Sequence, residues 1–317
     1  MARPRTKAAS YCSDPDTARM TLRMRILGAA AGGGLPQWNC GCRNCNLARQ
    51  GKIPAQTQSS LAVSGNGRDW AILNASPDIR IQMAACPELH PTGPRTLPLR
   101  SVLVTNGDID HVAGLLTLRE VQPFTLFATA GIHQVIADNP IFSALREGVV
   151  DRSQIALDTP FELAPDLTAT LFAVPGKVPL YLEGETVDTQ LIGDQTVGVE
   201  LKAGNQRVLY IPGCAILNDD LRTRIDGADA LLFDGTLWQD DEMIREGLGQ
   251  KTGARMGHMS ISGPDGSIAQ MADLTIGTRV FVHMNNTNPV LRPDSDERAE
   301  AEAKGWIIGQ DGLEITP

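Results

Sequence analysis

Short apolar runs rich in β-branched residues recur along the chain, each closed by glycine, proline, asparagine or aspartate. This pattern predicts strands over residues 26–30, 59–64, 69–75, 102–104, 124–128, 154–157, 161–163, 167–174, 190–192, 196–203, 207–211, 228–233 and 279–283. Gly65-Asn66-Gly67 is a turn that joins the second and third as a hairpin. Helical spacing appears over 78–86, after residue 111 (Val112, Leu115, Leu116, Leu118), and over 131–138, 141–146 and 267–274. Residues 88–98, rich in proline and glycine, read as a surface loop. Strands followed by helices, twice over, predict an α/β fold in which two layers of sheet are flanked by helices. No linker interrupts residues 24–317, so they are expected to form one domain.

Composition narrows the partners. A net charge of −9 disfavours nucleic acid, because phosphate binding needs a cationic footprint. No apolar run approaches the roughly 18 residues of a membrane-spanning helix. Residues 1–23 are rich in Arg, Lys and Ser and lack the apolar core of a secretory signal. They are expected to be a disordered extension of a cytoplasmic protein.

In a reducing compartment six cysteines argue against a disulfide framework, and three of them crowd into Cys40-Gly41-Cys42-Arg43-Asn44-Cys45. Three thiolates in one loop suit Zn²⁺, which needs a fourth ligand. His283, Asn286 and Cys214 are the candidates, and a closed site of this kind would be structural. Cys12 and Cys86 carry no such context.

The second cluster follows the strand at 102–104. Asp108, Asp110 and His111 stand at its mouth, where α/β proteins place their chemistry. Their plain alternative is helix capping, which can coexist with a ligand role. Of the other histidines, His258 and His283 lie beside polar strand ends, whereas His90 and His133 do not. A carboxylate and a histidine on one turn, with a histidine from a distant strand end, would form a two-His-one-carboxylate face of the kind that binds non-haem Fe²⁺. Asp234, in Phe233-Asp234-Gly235-Thr236, stands at another strand end as a metal-supporting group or substrate contact, or as a simple turn residue.

These residues resemble a known family. Asn106-x-Asp108-x-Asp110-His111 has the frame of the H-x-H-x-D-H motif of the metallo-β-lactamase superfamily, and Asp78, Asp234, His258 and His283 follow in the order of its later strand-end positions. The cysteine loop is similar to the zinc loop of its phosphodiesterase branch. The stretches WNCGCRNC, SPDIR, GDIDHVAGLLTLRE, YIPGC, LLFDGTLW, MGHMSISG and HMNNTNPVL more closely resemble the branch that serves pyrroloquinoline quinone (PQQ) biosynthesis. The resemblance runs from about residue 24 to the C-terminus.

It implies a metallo-β-lactamase-like αββα four-layer sandwich of two similar halves, with the metal site at one edge. It also implies a part in making PQQ from a peptide-derived Glu–Tyr intermediate, among other proteins of that pathway, and allows a homodimer. Two functions follow from it: an iron-dependent hydroxylase that uses O₂ on the tyrosine ring, or a non-catalytic carrier of PQQ or its precursor. For a carrier the cationic candidates are scattered: Arg80, Arg119 and Arg255.

The departures from the motif bear on function. Asn106 and Asp108 replace two histidines, Pro175–Pro179 occupies the place of a mid-chain histidine, and Cys214 lies near that of the bridging acid. Loss of nitrogen ligands favours a harder metal and argues against a binuclear hydrolase. The expected assignments are therefore Fe²⁺ on Asp110, His111 and His283, with Asp108 as an alternative or added ligand and His283 also able to complete the zinc site. His258 would move protons, since imidazole titrates near neutrality. Asp234, Asn106 and Asn286 would hold the substrate.

Overall fold

Two seven-stranded sheets face each other, and each arises from about half of the chain. A computed structural model describes residues 21–184 and 187–317. The first sheet contains β1 (Arg23–Gly28), β2 (Ser60–Ser64), β3 (Trp70–Leu73), β4 (Leu99–Leu103), β5 (Phe124–Ala128) and β6 (Val150–Gln154), with β14 (Glu314–Ile315) outside β1. The second runs from β7 (Pro160–Ala164) through β8 (Leu167–Ala173), β9 (Val197–Ala203), β10 (Gln206–Ile211), β11 (Ala228–Asp234) and β12 (Ile276–Val282) to β13 (Trp306–Ile308).

From β14 to β6, three antiparallel pairings are followed by three parallel ones. From β7 to β13 the same succession repeats. Helices cover the sheets, giving the expected αββα four-layer sandwich of two similar halves. Strands buried on both faces, such as β2, β3 and most of β11, are nearly continuous apolar runs, as sheets covered on both sides require. Among the described residues no helix is long and apolar enough to cross a membrane.

Most predicted strands are present, and the differences have physical reasons. The strand expected at 154–157 is β6, over Val150–Gln154. It is an edge strand with only Val150 buried, so its sequence has no apolar run to mark it. Residues 190–192 make only a bridge, Leu191 to Gly176. The segment 267–274 holds a single turn, Ser267–Gln270. The C-terminal strands β13 and β14 are too short to have been read from a pattern. Residues 1–20 of the expected extension lie outside the described residues, with Cys12 among them; Leu22 is fully buried and Arg23 opens β1.

The C-terminal segment is tied to the first sheet by Asp311. Its carboxylate accepts from Ala29 N–H (3.0 Å) and from the N–H and hydroxyl of Thr57 (2.7 Å each). Burial pushes this carboxyl up from its ordinary 3.8 to about 6. A carboxyl raised in the fold contributes stability that is complete below its unfolded value and lost as pH rises through the folded one. Urea denaturation of Asp311→Asn is expected to lack the decline in stability that the wild type shows from about pH 4 to about pH 6. Equal slopes in the two proteins would contradict this assignment.

Candidate metal centre

The site lies at one edge of the sandwich, where the ends of β1, β4, β10, β11 and β12 meet. Two backbone stitches fix this edge. Met284 N–H donates to Ala29 O (2.9 Å) and Ala31 N–H to Met284 O (2.8 Å), joining the exits of β1 and β12. Asn106 bridges to Thr196, joining the exit of β4 to the entry of β9.

The loop after β4 delivers Asp110 and His111. A helical turn, Ile109–Val112, passes at once into a tighter 3-10 turn, Ala113–Leu116, so the longer helix expected here does not form. The cause is Gly114. Its N–H donates to Ala75 O (2.8 Å), and a Cβ at this position would lie 2.1 Å from Ser76 O. Ala75 N–H in turn donates to His111 O (2.8 Å), so this close approach sets the height of the His111 turn.

His283 ends β12 with φ of +57°, a left-handed conformation rare for a residue with a Cβ. Its Nε2 faces Asp110 Oδ2 at 3.2 Å, and its Nδ1 meets Thr236 Oγ1 at 2.9 Å. Asp110, His111 and His283 form one group whose ligand atoms all lie within 4.8 Å of one another, and Asp234, His258 and His283 form another. Among the described residues, neither ring nitrogen of buried His111 has a hydrogen-bond partner. An unpaired buried imidazole is costly, and a metal ion would satisfy it. Burial also lowers the His111 pKa to about 4, keeping the ring neutral, as a metal ligand must be. Against the effect of burial, His111 and His283 hold the Asp110 carboxyl far below its usual range. The donor set therefore fits a cation.

Asp234 is fully buried and held on all sides. It accepts from Cys214 N–H (2.9 Å), Thr236 N–H (3.0 Å), the Thr236 hydroxyl (2.6 Å) and His258 Nδ1 (2.6 Å). With Nδ1–H donating to Asp234, the His258 Nε2 lone pair is left free.

Asp108 stands apart from the ligand group. Its Oδ1 accepts from Leu180 N–H at 3.2 Å, and it makes no side-chain cap to the helical turn it precedes. Burial and the Asp110 charge push its carboxyl upward. Asn106, expected at the substrate, uses its Oδ1 to accept from Asp108 N–H (2.9 Å) and so shapes the turn. His90 and His133 bond backbone carbonyls, Ala84 O and Ser153 O, each at 3.0 Å.

The cysteine loop forms a second centre. Cys40, Cys42 and Cys45 converge. Asn286, also expected at the substrate, lies over them instead, its amide nitrogen 3.2, 3.4 and 3.4 Å from the three sulfurs. Amide nitrogen and oxygen are interchangeable by a flip, so the same side chain can present its oxygen to a cation among the sulfurs. Of the three candidates for a fourth ligand, this is the one the fold places there. His283 faces Asp110, and Cys214 is buried with its thiol donating to Ile216 O (3.3 Å). Burial and the neighbouring sulfurs push the Cys45 thiol upward, which a cation would reverse. Sequence reasoning missed Thr236, whose place between two histidines no spacing reveals.

This geometry agrees with the comparisons. Residues 69–284 match the family model "Beta-lactamase superfamily domain", and the chain is a member of that superfamily. Within it, the chain belongs to the coenzyme PQQ synthesis protein B family. It is 61% identical over 294 residues to the "Coenzyme PQQ synthesis protein B" of Ruegeria pomeroyi, covering 93% of this chain and 99% of that one. The protein of the same name from Rhizobium meliloti is 53% identical, with 93% and 97% covered. The crystal structure of Zn(2+)-bound PqqB from Methylobacterium extorquens superposes with a TM-score of 0.92 at 56% identity, covering 93% of this chain and all of that one. At 17% identity and a TM-score of 0.65, a diphosphatase of the PhnP family shares the fold alone.

Two outcomes test the two centres separately. Replacing Gly114 by Ala should destabilise the fold by about 1–3 kcal/mol through overpacking and lower metal content at the Asp110–His111–His283 group, leaving zinc on the cysteines unchanged. Calorimetry and elemental analysis read the two effects. Conversely, Asn286→Leu should strip zinc from the cysteine loop while Asn286→Asp retains it, as followed by zinc release to a chromogenic chelator; equal zinc content in both variants would remove Asn286 from the ligand set.

Proposed function

We propose that this chain acts in PQQ biosynthesis as an iron-dependent hydroxylase of the tyrosine ring in a Glu–Tyr-derived precursor. The observation that carries the reading is the ligand set itself. Two imidazoles and one carboxylate converge, neither ring nitrogen of His111 has a hydrogen-bond partner among the described residues, and the positions where a hydrolase would place two more histidines hold Asn106 and Asp108. Fe²⁺ held by Asp110, His111 and His283 would supply activation of O₂, with coordination positions left open beside the protein ligands.

The residues around that group have separable tasks. Thr236, bonded to His283 Nδ1, fixes the ring so that Nε2 faces the Asp110 side. Asp234 holds His258 in the tautomer whose Nε2 can accept the phenolic proton of a tyrosine. The cysteine loop, carrying Zn²⁺, forms a rigid wall through Asn44 Nδ2 to Asn288 O (2.8 Å) and Arg292 to Asn44 Oδ1 (2.9 Å). Hydroxylation of the ring places one oxygen atom of O₂ on carbon and reduces the other to water, consuming two electrons from an added reductant.

The test is anaerobic loading with Fe²⁺, then isotopically labelled O₂, a reductant and a Glu–Tyr peptide. Mass spectrometry should find labelled oxygen on the ring. His258→Gln should keep its iron and lose turnover by roughly a hundredfold or more. Product without label, or equal turnover by the variant, would count against the reading.

A further inference from the structure

Beside the metal edge, three cations surround one buried carboxylate that the proposed chemistry does not use. Glu183 is nearly inaccessible, its side chain 8% exposed. Its Oε1 lies 3.0 Å from Lys177 Nζ, and its Oε2 lies 3.0 Å from Arg255 and 3.5 Å from Lys251. Among the described residues, Arg255 Nη1 and Glu183 Oε1 are buried without a hydrogen-bond partner. Three cations thus face one carboxylate whose hydrogen bonding is incomplete.

Its position is fixed at the mouth of the site. The Lys177 stem packs on Gly257, where a Cβ would lie 3.2 Å from Lys177 Cγ, and Gly257 adjoins His258. Glu183 ends a segment whose Leu180 N–H donates to Asp108 and whose Tyr181 hydroxyl donates to Gly107 O (2.7 Å). The apolar side chains of that segment, Leu180, Tyr181 and Leu182, are all exposed. Hydrophobic burial therefore does little to fasten the segment, which is held by these two hydrogen bonds and by the Glu183 carboxylate.

We infer that Lys177, Lys251 and Arg255 form a carboxylate-binding subsite for the substrate, and that Glu183 occupies it until a substrate carboxylate takes its place. The subsite accepts a small aromatic molecule bearing an anionic carboxylate, held with its ring toward His258. The exchange is one carboxylate for another, so the cations are never left bare, and Arg255 Nη1 gives the incoming group a bond that Glu183 does not make. The inference rests on the metal edge being the reaction site, but it is read by binding alone.

The experiment uses the full-length zinc-loaded protein without added reductant, and isothermal titration with two probes. Hydroxyphenylpropionate carries a carboxylate; tyramine has the same phenol without one. The carboxylate probe should bind the more tightly. Arg255→Gln and Lys177→Gln should each weaken it on the order of tenfold and leave tyramine unchanged. Glu183→Gln should strengthen the carboxylate probe on the order of tenfold, because the internal competitor is gone. Glu183→Ala, measured in parallel with circular dichroism, serves if the glutamine variant misfolds. Unchanged or weakened binding in folded Glu183 variants, or full discrimination between the probes in the Arg255 and Lys177 variants, overturns the subsite. Carboxylate-dependent binding that persists while no labelled oxygen enters the ring would sink the hydroxylase reading and leave the subsite standing.

Discussion

The hydroxyl of Thr236 has one proton to donate and lies within hydrogen-bonding distance of four groups. Asp234 Oδ1 is 2.6 Å away, His283 Nδ1 and His283 O are each 2.9 Å away, and His258 Nδ1 is 3.1 Å away. The Thr236 proton goes to the Asp234 carboxylate, the His258 Nδ1–H is taken by the other oxygen of that carboxylate (2.6 Å), and the Thr236 oxygen receives from His283 Nδ1. This assignment turns His283 Nε2 toward Asp110 and leaves His258 Nε2 free. Asp234 and Thr236 together thereby set the tautomers of two histidines on different elements. Because Asp234 and Thr236 are both buried, water offers no alternative partner to relax the arrangement.

The alternation of apolar runs and turn residues made the two-sheet architecture legible before any coordinates, because strands buried on both faces must be apolar throughout. What escaped was whatever burial does not write into sequence. β6 is an edge strand with one buried side chain, and β13 and β14 are a few residues long. The site shows the same division. Cys40, Cys42 and Cys45, and Asp110 with His111, are close in sequence, and their ligand chemistry could be read from spacing. The placement of Asn286 on the sulfurs and of Asp108 on Leu180 depends on which loops meet at the edge of the sandwich. Spacing along the chain carries no information about that.

The internal pseudo-symmetry explains why the chemistry is gathered at one end. In each sheet the parallel pairings release their strands in the same direction, so loops after β10, β11 and β12 emerge side by side. The first half contributes its own exit, after β4, from across the interface. Catalytic loops on parallel strand ends are a general solution. Here the solution is used once, with the other half supplying Asp110 and His111 to the group that His283 completes. The cationic cluster around Glu183 comes from segments that follow β8 and β11, so it and the Asp110–His111–His283 group draw on different parts of one rim.

His283 and Asn286 are three residues apart on a single turn. Fully extended, such a stretch spans at most about 11 Å, and Asn285 N–H donates to Thr236 O (2.9 Å) within it. A side chain that faces one metal group and a side chain that caps the other cannot move independently on so short a tether. The two groups therefore share one short turn, and a substitution that shifts its backbone would displace ligand atoms at both, whereas a change confined to the Asp110–His111 loop would reach only one.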